Sequence, residues 1–187
     1  MRADLHLHTT ASDGRLTPQE LVLKAVELKL EVIAITDHDS VEGVLPALEA
    51  ARSFTQLMVI PGVEINTDVP KGEVHILGYF MDYRDPGLKR TLEELRNSRY
   101  ERGENMVAKL AEMGINLDWG RVQELAGGGS IGRPHIAQAM LEQGYISSLR
   151  EAFTKYIGRN SPAYVERKKL TPIEAVKVVL AAGGLPV

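Results

Sequence analysis

The stretch DLHLHTTASD, residues 4–13, decides how the rest of the chain is read. Leu5 and Leu7 alternate with His6 and His8, the period of a β-strand, in which residues two apart share a face. Both imidazoles therefore leave the same side of the strand, close enough for one metal ion to take both. A strand whose histidines merely alternate with core leucines is the other reading. The polar turn Thr9 to Gly14 follows and can bring Asp13 back over the same strand end. A His-x-His pair with a carboxylate that near points to ligation.

Working outward, Met1 to Leu7 is the expected first strand. Thr17-Pro18-Gln19-Glu20 has an N-cap Thr, Pro at the first helical position and Glu two later, a capping box. The helix that it opens carries Leu21, Ala25 and Leu28 as the expected core stripe. Val32 to Ile35 is a continuous, largely β-branched run, the pattern of a strand buried on both faces. Strand, helix and buried strand make a βαβ unit. Its second strand ends in Thr36-Asp37-His38-Asp39, and ligands of parallel sheets gather at the carboxyl ends of strands. That places His38 beside His6 and His8. A helix over residues 44–53 and a strand over residues 57–63, ending in Glu64, come next. After a turn at Pro70-Lys71-Gly72, a fourth apolar segment, Val74 to Phe80, contains His75. Glu64 and His75 read either as surface residues near strand ends or as sharers of the same ion site.

The pattern changes at Asp85-Pro86-Gly87. Residues 88–113 are charged and helical, with Leu88, Leu92, Leu95, Met106, Leu110 and Met113 as the apolar stripe. Arg99 and Arg102 lie three apart on one face, either solvated or turned to a phosphate. Shorter helices follow, with Gly127-Gly128-Gly129 between them, and no strand signal appears between about residues 86 and 160. We expect an all-helical insertion over residues 86–162 in an α/β domain of residues 1–85 and 163–187. Within the insertion, Gly132-Arg133-Pro134-His135 opens a helix that runs to Gln143. Free N–H groups and the helix dipole favour an anion there, and Arg133 and His135 strengthen that. The bland alternative is a surface Arg beside a helix-start His. The last helix of the insertion spans residues 147–157 and is followed by Gly158-Arg159. Thr171-Pro172-Ile173-Glu174 then repeats the earlier capping box, and Leu185-Pro186-Val187 is expected to begin another buried strand. By comparison with the first unit, the next ligand is expected beyond Val187, so the chain reads as cut one strand short.

Bulk composition narrows the classes. At 187 residues with 44% hydrophobic and 25% charged residues, the chain suits one globular domain carrying an insertion. A net charge of −3 argues against a general nucleic-acid or membrane binder but leaves room for a local basic patch. There is no cysteine, which excludes disulfides, thiolate metal sites and a Cys nucleophile. Neither a signal-peptide pattern nor a stretch of membrane-spanning length is present. The expectation is a cytoplasmic protein without an evident protein partner.

The motifs Asp4 to Gly14, Ile35-Thr36-Asp37-His38-Asp39, Pro61-Gly62-Val63-Glu64-Ile65 and Glu73-Val74-His75-Ile76-Leu77-Gly78, in that order, resemble the PHP (polymerase and histidinol phosphatase) family of metal-dependent phosphoesterases. The insertion, with Gly132 to His135 and Tyr156 to Val165, is similar to the subgroup of nucleoside 3′,5′-bisphosphate phosphatases and RNase AM-type 5′→3′ exoribonucleases. The resemblance covers essentially the whole chain. It implies a partial, distorted (β/α)7 barrel with two or three divalent ions, manganese, zinc, iron or magnesium. It further implies His6, His8, Asp13, His38, Glu64 and His75 as ligands, with Glu64 bridging two ions. Arg133 and His135 would contact substrate phosphate, with Arg159 and Arg99 as further candidates. The expected substrate is a nucleoside 3′,5′-bisphosphate or the 5′ end of a short RNA. Two other readings are kept: a histidinol-phosphatase or polymerase-associated enzyme, and an inactive module that binds nucleotides.

Overall fold

The computed structural model describes residues 2–69 and 73–187, so the turn expected at Pro70-Lys71-Gly72 lies outside the described residues. Five strands form one sheet in the order β1-β2-β3-β4-β5. They are β1 (Ala3–Leu7), β2 (Val32–Ile35), β3 (Met58–Asp68), β4 (Glu73–Tyr79) and β5 (Leu185–Pro186). The α/β class holds, and the sheet is open, with β1 and β5 at its edges. β1, β2 and β3 are parallel, whereas β3–β4 and β4–β5 are antiparallel.

The helices follow their sequence signals closely. They are α1 (Pro18–Glu27), α2 (Val44–Ala51), α3 (Pro86–Glu112), α4 (Trp119–Leu125), α5 (Arg133–Glu142), α6 (Leu149–Ala152) and α7 (Pro172–Ala181). α6 continues through one π-helical turn, Phe153–Ile157. Both capping boxes form. Thr17 Oγ1 accepts from the Glu20 N–H at 3.2 Å and Glu20 accepts from the Thr17 N–H at 2.8 Å, and Thr171 and Glu174 repeat the exchange. The buried stripe of α1 is Pro18, Val22 and Ala25, rotated from the expected Leu21-Ala25-Leu28. Leu28 is the C-cap and stays exposed, because the chain turns away there toward β2.

β3 runs further than its apolar run suggests, and Glu64 lies inside it rather than at its end. Up to Pro61 the strand pairs with β2, and from Gly62 it pairs with β4 instead. A single polar residue inside an apolar run does not end a strand that finds a new partner for its backbone.

Two hydrophobic cores share α3. Leu88, Leu92 and Leu95 pack with Ile33, Ile35, Val63, Ile65 and Val179. Met106 and Leu110 pack with Val122, Ile136, Met140 and Ile157. Between these two groups the buried stripe of the helix is continued by Arg99 and Arg102, both buried. Met113, expected on the same stripe, is the exposed C-cap. The helix therefore crosses the space between the cores with two guanidiniums where apolar residues would otherwise stand. No helix among the described residues is long and apolar enough to cross a membrane.

Candidate active site

The strand alternation in β1 puts His6 and His8 on one face, and both reach the carboxylate of Glu64 on β3. His6 Nε2 lies 2.7 Å and His8 Nε2 3.1 Å from Glu64 Oε2. His38 Nδ1 is 3.4 Å from the same oxygen, and His75 Nδ1 contacts the other oxygen, Oε1. Asp13, carried by the turn after β1, faces His8 Nδ1 at 3.5 Å and His38 Nε2 at 3.8 Å. The structure thus brings together all six residues expected as ligands. Their donor atoms form three overlapping groups, His6-His8-Glu64, His8-Asp13-His38 and His38-Glu64-His75, each with its atoms within 4.8 Å of one another.

The backbone that holds these side chains is set by residues outside the ligand set. Asp37 is fully buried and accepts from the Thr9 N–H at 2.6 Å, the Thr9 hydroxyl at 2.7 Å and the Ser12 hydroxyl at 2.7 Å. It fastens the turn that carries Asp13. The Asp39 N–H donates to the Glu64 carbonyl at 2.9 Å and the Glu64 N–H donates to the Asp37 carbonyl at 3.1 Å, so the end of β2 is pinned alongside β3. Gly129, between α4 and α5, lies against Thr10 so closely that a Cβ would come within 2.6 Å of the Thr10 carbonyl oxygen.

Charge in the cluster is strongly coupled to burial. Burial would push the Glu64 carboxyl up, but its hydrogen bonds to His75, His8 and His6 and the charge of His38 hold it far below the usual carboxylate range. Burial, reinforced by the nearby Arg99, drives His38 down to about 4, so this imidazole stays neutral near neutrality. His38 Nδ1 is buried without a hydrogen-bond partner among the described residues. A neutral imidazole with an unused buried nitrogen beside an ionised carboxylate is the donor state a divalent ion requires. The residues present fit a metal centre.

Beside the cluster lies a cavity of about 130 Å³ into which Asp13, His38 and His75 also face. Asn66, Gly132, Pro134 and Phe153 line it as well, together with five cations: Arg99, Arg102, Arg133, Arg167 and Lys169. Asp39 organises two of these, lying 2.6 Å from Arg99 Nε and 3.2 Å from Arg167 in a fully buried position. Arg99 also donates to Asn66 Oδ1 at 2.9 Å, and the Asn66 amide contacts His75 Nε2 at 3.0 Å, which links the cavity to the cluster. Burial would raise the Asp39 carboxyl, but Arg99 and Arg167 hold it below its ordinary value. Arg102 is 6% exposed, and its Nε has no hydrogen-bond partner among the described residues. Burial and the neighbouring charges of Arg99, Arg167 and Arg133 drop its pKa to about 9. The Arg133 guanidinium sits 5.8 Å from the ring centres of both Phe153 and Tyr164, which hold it toward the cavity by cation–π attraction.

The remaining phosphate candidates are placed differently. His135 is buried and its Nδ1 accepts from the Gly132 N–H at 3.0 Å, capping α5. Burial lowers its pKa, so it is a neutral imidazole with its proton on Nε2. It lines a second groove on the other side of Pro134, away from Arg133. Arg159 is exposed and outside the cavity wall. Arg167 and Lys169, in contrast, belong to the wall but gave no sequence signal. They lie in the irregular segment that leads into α7, where no periodicity marks a face.

Comparison with known proteins places these features. Residues 4–159 match the PHP domain family. The chain is 39% identical over 182 residues to the 5′-3′ exoribonuclease Rnm of Escherichia coli (strain K12), covering 97% of this chain and 62% of that protein. It is 32% identical over 190 residues to the 3′,5′-nucleoside bisphosphate phosphatase of Chromobacterium violaceum, covering 98% of this chain and 65% of that one. A crystal structure from Bifidobacterium adolescentis, designated a metal-dependent phosphoesterase, superimposes with a TM-score of 0.93 at 30% identity, over 100% of this chain and 65% of that chain. This chain spans somewhat less than two thirds of the length of each of these proteins.

Proposed function

The chain belongs to the PHP domain family, and on that premise we propose that it is a metal-dependent phosphoesterase acting on substrates with two phosphates. These are nucleoside 3′,5′-bisphosphates and the 5′-phosphorylated ends of short RNAs. One observation carries this reading: the cationic cavity adjoins the donor cluster and shares Asp13, His38 and His75 with it. One phosphate at the cluster and the other among Arg99, Arg102 and Arg133 would satisfy both. Buried guanidiniums beside an ionised substrate oxygen make short, charge-assisted hydrogen bonds, and Arg is suited to bidentate contact with phosphate.

His6, His8, Asp13, His38, Glu64 and His75 would hold two or three divalent ions, with Glu64 shared between them. Imidazole and carboxylate donors without thiolate suit manganese, zinc or iron better than magnesium, which prefers oxygen. When bound, such ions supply Lewis acidity that lowers the pKa of water and neutralises phosphate oxygens. In both substrates the bond that breaks is P–O3′ of the first nucleotide. Water supplies the new oxygen on phosphorus, and the electron pair of the broken bond leaves on O3′, which takes up a proton. His135, neutral and with its proton on Nε2, is the residue we place as a hydrogen-bond donor to the reacting phosphate near Asp13. Arg99, Arg102 and Arg133 fix the 5′-phosphate and so orient the reacting group. Arg159, exposed and outside the wall, is left as a contact for the outer part of the substrate. The absence of cysteine suits a reducing, cytoplasmic setting.

The test is a substrate panel on the manganese-loaded chain, with metal content measured in parallel. Adenosine 3′,5′-bisphosphate and a 5′-phosphorylated oligoribonucleotide are expected to be hydrolysed, and histidinol phosphate is not. Arg133→Ala should raise KM for the bisphosphate more than for a simple aryl phosphate. Hydrolysis of histidinol phosphate alone overturns the reading.

A further inference from the structure

The cavity beside the cluster, at about 130 Å³, holds a phosphate but not a nucleoside, since nucleoside-sized ligands occupy pockets of roughly 300 Å³ or more. On the other side of Asp13 and Pro134 lies a groove of about 510 Å³. Those two residues are the ones that the two spaces share. The donor group that contains Asp13, His8-Asp13-His38, therefore sits at the junction, with a small cationic space to one side and a larger mixed one to the other.

We infer that this groove receives the second nucleotide of a 5′-phosphorylated RNA. The inference rests on the phosphoesterase reading above. A 3′,5′-bisphosphate carries a terminal phosphate at the reacting position. In RNA the same phosphorus is also esterified, through O5′, to the next nucleoside. The bond that breaks remains P–O3′, the leaving group remains the first nucleotide, and the second keeps the phosphate as its new 5′ end. What RNA adds is one bulky substituent on phosphorus, which has to lie outside the cationic cavity. The groove offers what such a substituent needs. Leu125 and Leu149, half-buried, give an apolar surface for a base or ribose, and Gln138 on α5 adds a polar edge. Arg15 at the rim is exposed and forms no ion pair among the described residues, which suits the next phosphate along the strand. Arg15 and Gln138 lie outside both the donor cluster and the cationic wall, so they can serve the longer substrate alone, whereas Asp13 and His135 at the inner end of the groove serve both substrates.

The experiment is equilibrium binding by calorimetry to the manganese-loaded chain, with two probes in which a methylene group replaces each scissile O3′: the 3′-methylenephosphonate analogue of adenosine 3′,5′-bisphosphate and a 5′-phosphorylated triadenylate with 3′-methylenephosphonate linkages. Arg15→Glu and the groove-filling Gln138→Trp are each expected to weaken the trinucleotide roughly tenfold while leaving the bisphosphate within about twofold. Arg15→Ala should also reduce the salt slope of trinucleotide binding by about 0.7, the loss of one phosphate contact on a single strand. Retained bisphosphate binding shows that the variants are folded. Equal weakening of both probes places the first nucleotide in the groove and overturns the inference, as does unchanged trinucleotide binding. If the unaltered chain binds neither probe, the phosphoesterase reading fails and takes this inference with it.

Discussion

Asp39 Oδ2 lies 2.6 Å from Arg99 Nε, with the two side chains 0% and 6% exposed and the residues 60 apart in sequence. The contact joins the end of β2, where His38 sits, to the middle of α3, where the two hydrophobic cores meet. Asp39 occupies a left-handed backbone conformation, φ 50°, that aims its carboxylate across this junction. It is a buried acid holding two buried guanidiniums, since Arg167 approaches the same oxygen at 3.2 Å.

Asn tolerates the left-handed region, so Asp39→Asn keeps the backbone and removes only the charge. Breaking a buried pair leaves the partner uncompensated and costs about 3–5 kcal/mol. We expect a large fall in the urea midpoint of the metal-free chain. A change below about 1 kcal/mol would show that solvent reaches this junction and screens it.

Arg102 predicts the opposite sign. It is a buried guanidinium with no ion-pair partner among the described residues, so it opposes folding and is positioned for an anion. Arg102→Met keeps the packing stem and removes the charge. The free chain should gain about 1–3 kcal/mol, and affinity for adenosine 3′,5′-bisphosphate should fall roughly tenfold or more. Stability and binding moving together, both down, would mean that Arg102 acts as structure alone.

His38 gives a pH signature. Its ordinary pKa of 6.5 is lowered to about 4 in the folded chain by burial and by Arg99. Between those values the unfolded chain binds a proton that the folded chain refuses, so stability rises with pH across the window. A single such group contributes at most about 1.4 kcal/mol per pH unit. Urea midpoints of the chelator-treated chain should climb from pH 4 to 6.5, and His38→Asn should flatten that climb. An identical slope in the variant would assign the effect elsewhere.

Gly14 closes the turn that carries Asp13. A Cβ there would come within 2.3 Å of the His8 carbonyl oxygen, so Gly14→Ala forces the turn to move. The expected cost is about 1–3 kcal/mol of stability and a lower manganese stoichiometry by elemental analysis. Full metal loading in a destabilised variant would separate the turn from ligation.

The sequence determined most of the elements of this protein and named the six residues that the fold gathers around Glu64. Alternation in β1 places His6 and His8 on one face, and the capping boxes at Thr17 and Thr171 start their helices where expected, because these signals are local and need only neighbouring residues. The charged helix-start Arg133 was legible for the same reason. Tertiary structure decided the rest. It took Glu64 from a strand end to the middle of β3 by giving the strand a second partner, and it separated Arg133 from His135 across Pro134. It turned Arg99 and Arg102 from a pair that reads equally well as solvated into the wall of a cavity, and it added Arg167, Lys169 and the organising Asp39. None of those is visible locally. A buried charge is tolerated only where distant residues compensate it, and which distant residues meet is settled by how the two cores pack around α3.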